Sequence, residues 1–222
     1  MIKLNRFDKL IYSLFALAVV SFLILLIPFH PYPFSFILKA IPLSCLIILI
    51  WRYTEGFNRA IITLALLFSL AGDISLDIDR SRFFILGLVF FLISHIFYIV
   101  LLIKHFKWQK NRILPFALVI LYAVILTVML KDIDPSRLPA VMAYLLIISV
   151  MTAVAFMYKP TEEKKSFALI PIGAVIFMLS DSIIAVNQFL SPIPHSLIYS
   201  LTLYFTAQML ITGGFILKEK YN

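Results

Sequence analysis

Apolar residues run along this chain in eight long blocks, and polar residues gather in the short stretches between them. A helix needs about 20 mostly apolar residues to cross a hydrocarbon core roughly 30 Å thick. The blocks lie at about 11–29, 34–51, 60–76, 83–103, 113–130, 138–157, 166–189 and 196–217, and each predicts one transmembrane helix. Helix-stopping residues mark the breaks. His30-Pro31-Tyr32-Pro33 ends the first block, Lys159-Pro160 with Glu162, Glu163, Lys164 and Lys165 the sixth, and Ser191-Pro192-Ile193-Pro194 the seventh. The third block is the shortest and closes on a polar stretch. Connections are short throughout, so the pattern predicts an all-α membrane protein: one domain over residues 1–222, folded as a compact bundle of eight transmembrane helices. Lys3, Arg6 and Lys9 precede the first block in the manner of a signal peptide. That block is too long for a signal h-region and no small-x-small site follows it, so it reads as a retained first helix.

Composition narrows the function classes. Hydrophobic residues make up 63% of the 222 positions and charged residues only 14%, where a soluble domain carries about a quarter charged. With a mean hydropathy of +1.05, a water-soluble enzyme or a nucleic-acid binder is excluded. The net charge of +8 is informative through its placement. Fourteen of the nineteen Lys and Arg fall at the N-terminus, in the second, fourth and sixth connections, and at the C-terminus. Four (Arg80, Arg82, Lys131 and Arg137) fall on the other side, and Lys39 lies inside the second block. The positive-inside rule then predicts a multi-pass protein of the cell membrane with both termini cytoplasmic. Cys45 is the one cysteine and sits in an apolar run, which leaves no disulfide framework and no thiolate metal site. Of four histidines, His95 alone falls within a block. No phosphate-binding glycine loop, Gly-x-Ser-x-Gly elbow or His-Glu-x-x-His is present, so no metal or cofactor is expected.

The acids separate into two groups. Asp8, Glu55, Asp79, Asp132, Asp134, Glu162, Glu163 and Glu219 fall in connections or tails and read as solvated. Asp73 and Asp181 fall inside spans, and Asp77 at the outer end of the third. An ionisable group near the bilayer centre costs at least about 2.5–3.5 kcal/mol, and such groups normally face the bundle interior. At 1.5 Å per residue, Asp73, Asp181 and Lys39 all come out roughly 20–22 Å above the cytoplasmic face. His95 and Gln208 come out deeper, with Tyr204 between, while Asn187 and Asp77 lie toward the outer mouth. The expected picture is a polar pocket that opens outward and reaches the midplane. A structural reading stands beside it. Asp73, Asp181 and Lys39 form an ion-pair network that fixes helix register, Tyr98 is a partner or packing neighbour of His95, and Tyr204 and Gln208 are interhelical polar contacts. Leu70-Ala71-Gly72-Asp73-Ile74-Ser75 and Phe177-Met178-Leu179-Ser180-Asp181-Ser182 are similar, four crossings apart, as in a parallel repeat.

Taken together, Ala71-Gly72-Asp73-Ile74-Ser75-Leu76, Gly87 through Phe91 with Ser94-His95-Ile96-Phe97-Tyr98, Gly173-Ala174 running to Ser180-Asp181-Ser182, and Tyr204 with Gln208-Met209-Leu210-Ile211 resemble the YhhN family of membrane proteins. Lys39 before Pro42 resembles that family's Lys-Pro feature, with two residues intervening. The family's eukaryotic members are lysoplasmalogenases. The resemblance implies hydrolysis of the vinyl ether bond of a lysoplasmalogen, giving a fatty aldehyde and a glycerophospho-base. Vinyl ethers resist hydroxide and open in acid: the outer alkene carbon is protonated and water captures the oxocarbenium ion. Such a site needs one protonated carboxylic acid and one carboxylate, and two acids in a low-dielectric layer divide those roles. The expected catalytic pair is Asp73 and Asp181. In the supporting set, His95, Tyr204 and Gln208 orient water or glycerol oxygens, and Lys39 and Asn187 bind phosphate or poise one Asp, with Asp77 and Tyr98 beside them. The expected partners are a lysophospholipid substrate entering from the bilayer and the membrane lipids themselves, with no nucleic acid. The sequence leaves the oligomeric state open. It also leaves open a hydrolase for another lipid, a small transporter or proton-coupled carrier, and a non-catalytic scaffold.

Overall fold

The computed structural model describes residues 5–29, 35–158 and 164–220. They form α1 (Arg6–Phe29), α2 (Ser35–Tyr53), α3 (Gly56–Ile78), α4 (Arg80–Ile103), α5 (Ile113–Leu130), α6 (Leu138–Met157), α7 (Lys164–Phe189) and α8 (Ser196–Lys220). All eight are long and apolar enough to cross a membrane, so the chain is an all-helical, multi-pass membrane protein. Lys3 and the breaks at 30–33 and 159–163 lie outside the described residues. Elsewhere among these residues there is a 3₁₀ turn at Lys110–Arg112 and one isolated bridge between Phe106 and Tyr158.

Several helices begin before their apolar blocks, because polar residues build the first turn. In α1 the Asn5 amide donates to Asp8 Oδ2 at 3.0 Å and the Asp8 amide to Asn5 Oδ1 at 2.8 Å, a reciprocal cap that satisfies two orphan donors. Asp8, expected to be solvated, is in fact buried. It takes a hydrogen bond from the Tyr53 hydroxyl and an ion pair from Arg52 Nε at 3.1 Å, which ties α1 to the end of α2. Asp79 separates α3 from α4 as a single residue and accepts from the Arg82 amide at 3.0 Å. The Ser81 hydroxyl and the Arg82 amide hold its carboxyl below the ordinary carboxylate range, so this cap is intact at neutral pH. Gly56 opens α3 at φ +53, a left-handed conformation that a side chain would strain.

Neighbouring helices close a ring. α2 packs on α3, α3 on α4, α4 on α6, α6 on α7, α7 on α8, and α8 returns to α2. α1 lies outside the ring against α2 and α8, and α5 lies outside against α6. The four helices α1–α4 and the four helices α5–α8 therefore follow the same plan, one outer helix and then three ring helices. This is the arrangement the paired Asp segments anticipated.

Lipid tails are as apolar as leucine, so the ring is held by close packing more than by water exclusion. A Cβ on Gly173 would lie 2.8 Å from Ile211 Cγ1 and 3.0 Å from the Ala207 carbonyl oxygen, contacts that bring α7 directly against α8. A methyl group there has to move backbone. Gly173→Ala is accordingly expected to lower stability by about 1–3 kcal/mol, read as an earlier thermal transition in detergent.

Candidate active site

Every ring helix sends a polar side chain inward: Lys39 from α2, Asp73 from α3, His95 and Tyr98 from α4, Tyr144 from α6, Asp181 from α7, Tyr204 and Gln208 from α8. Two clusters form around the two acids. Asp73 is buried, and its carboxylate takes the Lys39 ammonium at 3.1 Å and the Tyr204 hydroxyl at 2.6 Å. Lys39 Nζ also donates to the Asp73 carbonyl at 3.3 Å. The depth matching of Lys39 with Asp73 is thus a direct contact.

Asp181 has different company. The Tyr144 hydroxyl donates to its Oδ2, and His95 Nε2 stands 3.1 Å from Tyr144 Oη and 3.6 Å from Asp181 Oδ2. His95 is fully buried and its Nδ1 has no partner among the described residues. The tautomer that strands no buried donor carries its proton on Nε2 and leaves a bare lone pair at Nδ1. Side-chain exposure is 3% for Asp73 and 15% for Asp181, so Asp181 is the acid that faces open space.

The clusters obey the same plan as the helices. Each Asp takes one partner from the helix before it, Lys39 for Asp73 and Tyr144 for Asp181. Each takes a second from the last helix of the other half, Tyr204 for Asp73 and His95 for Asp181. The scaffold is repeated but the chemistry is not, since one carboxyl group meets a cation and the other meets a phenol and an imidazole.

Two chambers share Asp181 in their walls. The larger, about 650 Å³ counted with its open mouth, is walled by apolar side chains of α3 to α7, with Tyr144 and Asp181 at its polar end. The smaller, about 290 Å³, holds Lys39, Asp73, Arg80, Ser180, Asp181 and Tyr204. Leu76, Phe91, Asp181 and Ile184 line both. The aromatic rings of Phe91, His95, Phe177 and Tyr204 pack edge to face between the clusters, with the His95 and Phe177 centroids 4.7 Å apart. An apolar chamber with a few convergent polar groups is the usual form of a small-molecule site.

The other expected residues fall around this centre. Tyr98 is not a hydrogen-bond partner of His95 among the described residues. Its hydroxyl donates to Gln208 Oε1 at 2.7 Å, and Gln208 Nε2 donates to Ser69 at 2.9 Å, with Ser94 2.8 Å beyond. That fully paired network joins α3, α4 and α8. Asp77 takes the Ser35 hydroxyl, joining α3 to α2. Asn187 Oδ1 accepts the Ile193 amide at 2.8 Å, within the α7–α8 connection.

Tyr144 and Arg80 were missed from sequence. Tyr144 is one of ten tyrosines and carries no charge, but the repeat offered a signal: Lys39 precedes Asp73 by 34 residues and Tyr144 precedes Asp181 by 37. Arg80 reads as a connection residue because it directly follows the break at Asp79, which makes it the first residue of α4 beside the end of α3 that carries Asp73 and Asp77.

The family comparison agrees with the resemblance. A sequence model of the YhhN family matches residues 34–215. Lysoplasmalogenase TMEM86B of Homo sapiens is 26% identical over 183 residues, covering 81% of this chain and 74% of that protein. Lysoplasmalogenase TMEM86A of Homo sapiens is 26% identical over 186 residues, covering 80% and 76%. Lysoplasmalogenase TMEM86B of Mus musculus is 25% identical over 202 residues, covering 89% and 82%. No solved structure matches the chain.

Proposed function

The chain belongs to the YhhN family, and from that premise we propose that it is a lysoplasmalogenase-like hydrolase that opens the vinyl ether of a lysolipid by acid catalysis. The observation that carries this reading is the position of Asp181 at the junction of an apolar chamber and a polar one that also holds Asp73. An alkenyl chain lying in the first and a glycerol head in the second would set the vinyl ether beside both acids. The basic residues of the connections support cytoplasmic termini, with both chambers in the outer half of the membrane.

The unequal surroundings support a division of labour. Asp73, held by an ammonium and a phenol, works as the carboxylate. Asp181, with no cation in contact, carries the proton on the oxygen that Tyr144 leaves free. Asp181 gives that proton to the outer alkene carbon, and the ether oxygen shares the positive charge as an oxocarbenium ion. Water adds to the carbon next to that oxygen and passes a proton to Asp73, giving a hemiacetal. The hemiacetal hydroxyl then returns a proton to Asp181 while the departing glycerol oxygen takes the proton from Asp73. One water is consumed, and an aldehyde and a glycerophospho-base leave. A general acid of this kind contributes about 10²–10⁴-fold.

The test is a lysolipid panel with purified protein: the alkenyl form, its saturated ether analogue and the acyl form. Aldehyde from the alkenyl lipid alone is expected. Fatty acid from the acyl form, or transport into vesicles with no hydrolysis, would replace this reading with another lipid hydrolase or a carrier. The chain chamber gives a second expectation. Ala185 lines it, and Ala185→Trp should fill it, cutting turnover of long alkenyl chains by roughly tenfold relative to short ones.

A further inference from the structure

Vinyl ether cleavage requires two carboxyl groups and a water, and nothing in it calls for a guanidinium. Arg80 nonetheless lines the polar chamber with Lys39, Asp73 and Asp181. The two cations there are not equivalent. Lys39 is 3% exposed and is committed to Asp73 through its carboxylate and its carbonyl. Arg80 is partly buried at the first position of α4. It feels the charges of Asp77 and Asp73 but makes no hydrogen bond or ion pair with a described residue. Asp77, its nearest competitor along the chain, receives the Ser35 hydroxyl.

The chamber's charges favour an anion. With Asp181 protonated as proposed, the Lys39–Asp73 pair is neutral as a unit, and Arg80 is the remaining cation in the lining, its neighbour Asp77 lying outside that lining with the Ser35 hydroxyl. A guanidinium presents a planar fork of donors that matches two oxygens of a phosphate. The chain chamber begins across Asp181, Leu76, Phe91 and Ile184, so a molecule spanning both has an alkyl tail at one end and an anion at the other.

We infer that the polar chamber is a phosphodiester subsite in which Arg80 binds the head-group phosphate of a single-chain lipid. Lys39 acts there by positioning Asp73, not as the phosphate ligand. The inference deepens the proposed hydrolase reading and rests on it for the identity of the lipid. Its core, anion binding by Arg80, stands apart from any turnover.

The experiment measures binding and turnover in parallel. Saturated-ether lysolipids resist cleavage, so equilibrium binding of alkyl-glycerophosphoethanolamine and of the phosphate-free alkylglycerol is measured for wild type, Arg80→Lys and Arg80→Gln. Wild type should prefer the phosphate-bearing lipid. Arg80→Gln should shrink that preference by roughly ten- to a hundredfold, the worth of hydrogen bonds to a charged group, and Arg80→Lys should retain part of it. Aldehyde release from the corresponding alkenyl lipids should show the same loss in KM more than in kcat. An equal preference in wild type and Arg80→Gln overturns the subsite, whatever the turnover. Loss of preference without aldehyde from any lipid would keep the subsite and remove the hydrolase reading.

Discussion

Asp181→Asn should lower aldehyde release from an alkenyl lysolipid by roughly 10²–10⁴-fold, the range a general acid supplies. The amide has the same shape as the acid, and its oxygen still accepts from Tyr144, so the partnership that holds α6 to α7 survives. What is lost is the acidic proton at the meeting point of the two chambers. Thermal unfolding in detergent should be close to that of wild type. Activity near the wild-type level would show that Asp181 does not protonate the substrate. A parallel loss of activity and stability would assign it to the scaffold.

A second large effect is expected on stability. Lys39 and Asp73 are each 3% exposed at the side chain and lie 3.1 Å apart. Removing one partner of a buried pair strands the other charge and costs about 3–5 kcal/mol, whereas removing both is far less costly. Lys39→Met should therefore unfold early in a denaturing-detergent titration, and Lys39→Met with Asp73→Asn should recover most of the loss. Additive losses in the double variant would mean that the two residues do not interact as described. The double variant should still release no aldehyde, since the carboxylate that takes the proton from water is gone.

The eight helices were legible because a bilayer forces apolar blocks of fixed length, and blocks and helices agree to within about three residues except at the polar first turns of α1 and α3. Asp8 shows why those turns were misjudged: its burial depends on Tyr53 and Arg52, brought to it by the return of α2. Depth along the membrane was also legible, because a helix rises a constant distance per residue, and this brought Lys39 to Asp73. Rotation about each axis was not. The three-residue spacing placed Tyr98 beside His95, while its hydroxyl is paired with Gln208 on α8. Tyr144 was hidden for the same reason, since an uncharged side chain in an apolar run costs little wherever it points. The closing of the ring from α8 to α2 depends on packing between distant segments that no local pattern encodes.

The proposed reaction begins with a proton placed on carbon. Incubating the purified protein with alkenyl-glycerophosphoethanolamine in D₂O and trapping the aldehyde for mass spectrometry tests it most directly. The expected product is an aldehyde carrying one solvent deuterium on the carbon beside the carbonyl. Aldehyde without that deuterium, or no aldehyde at all, would contradict the proposed reaction.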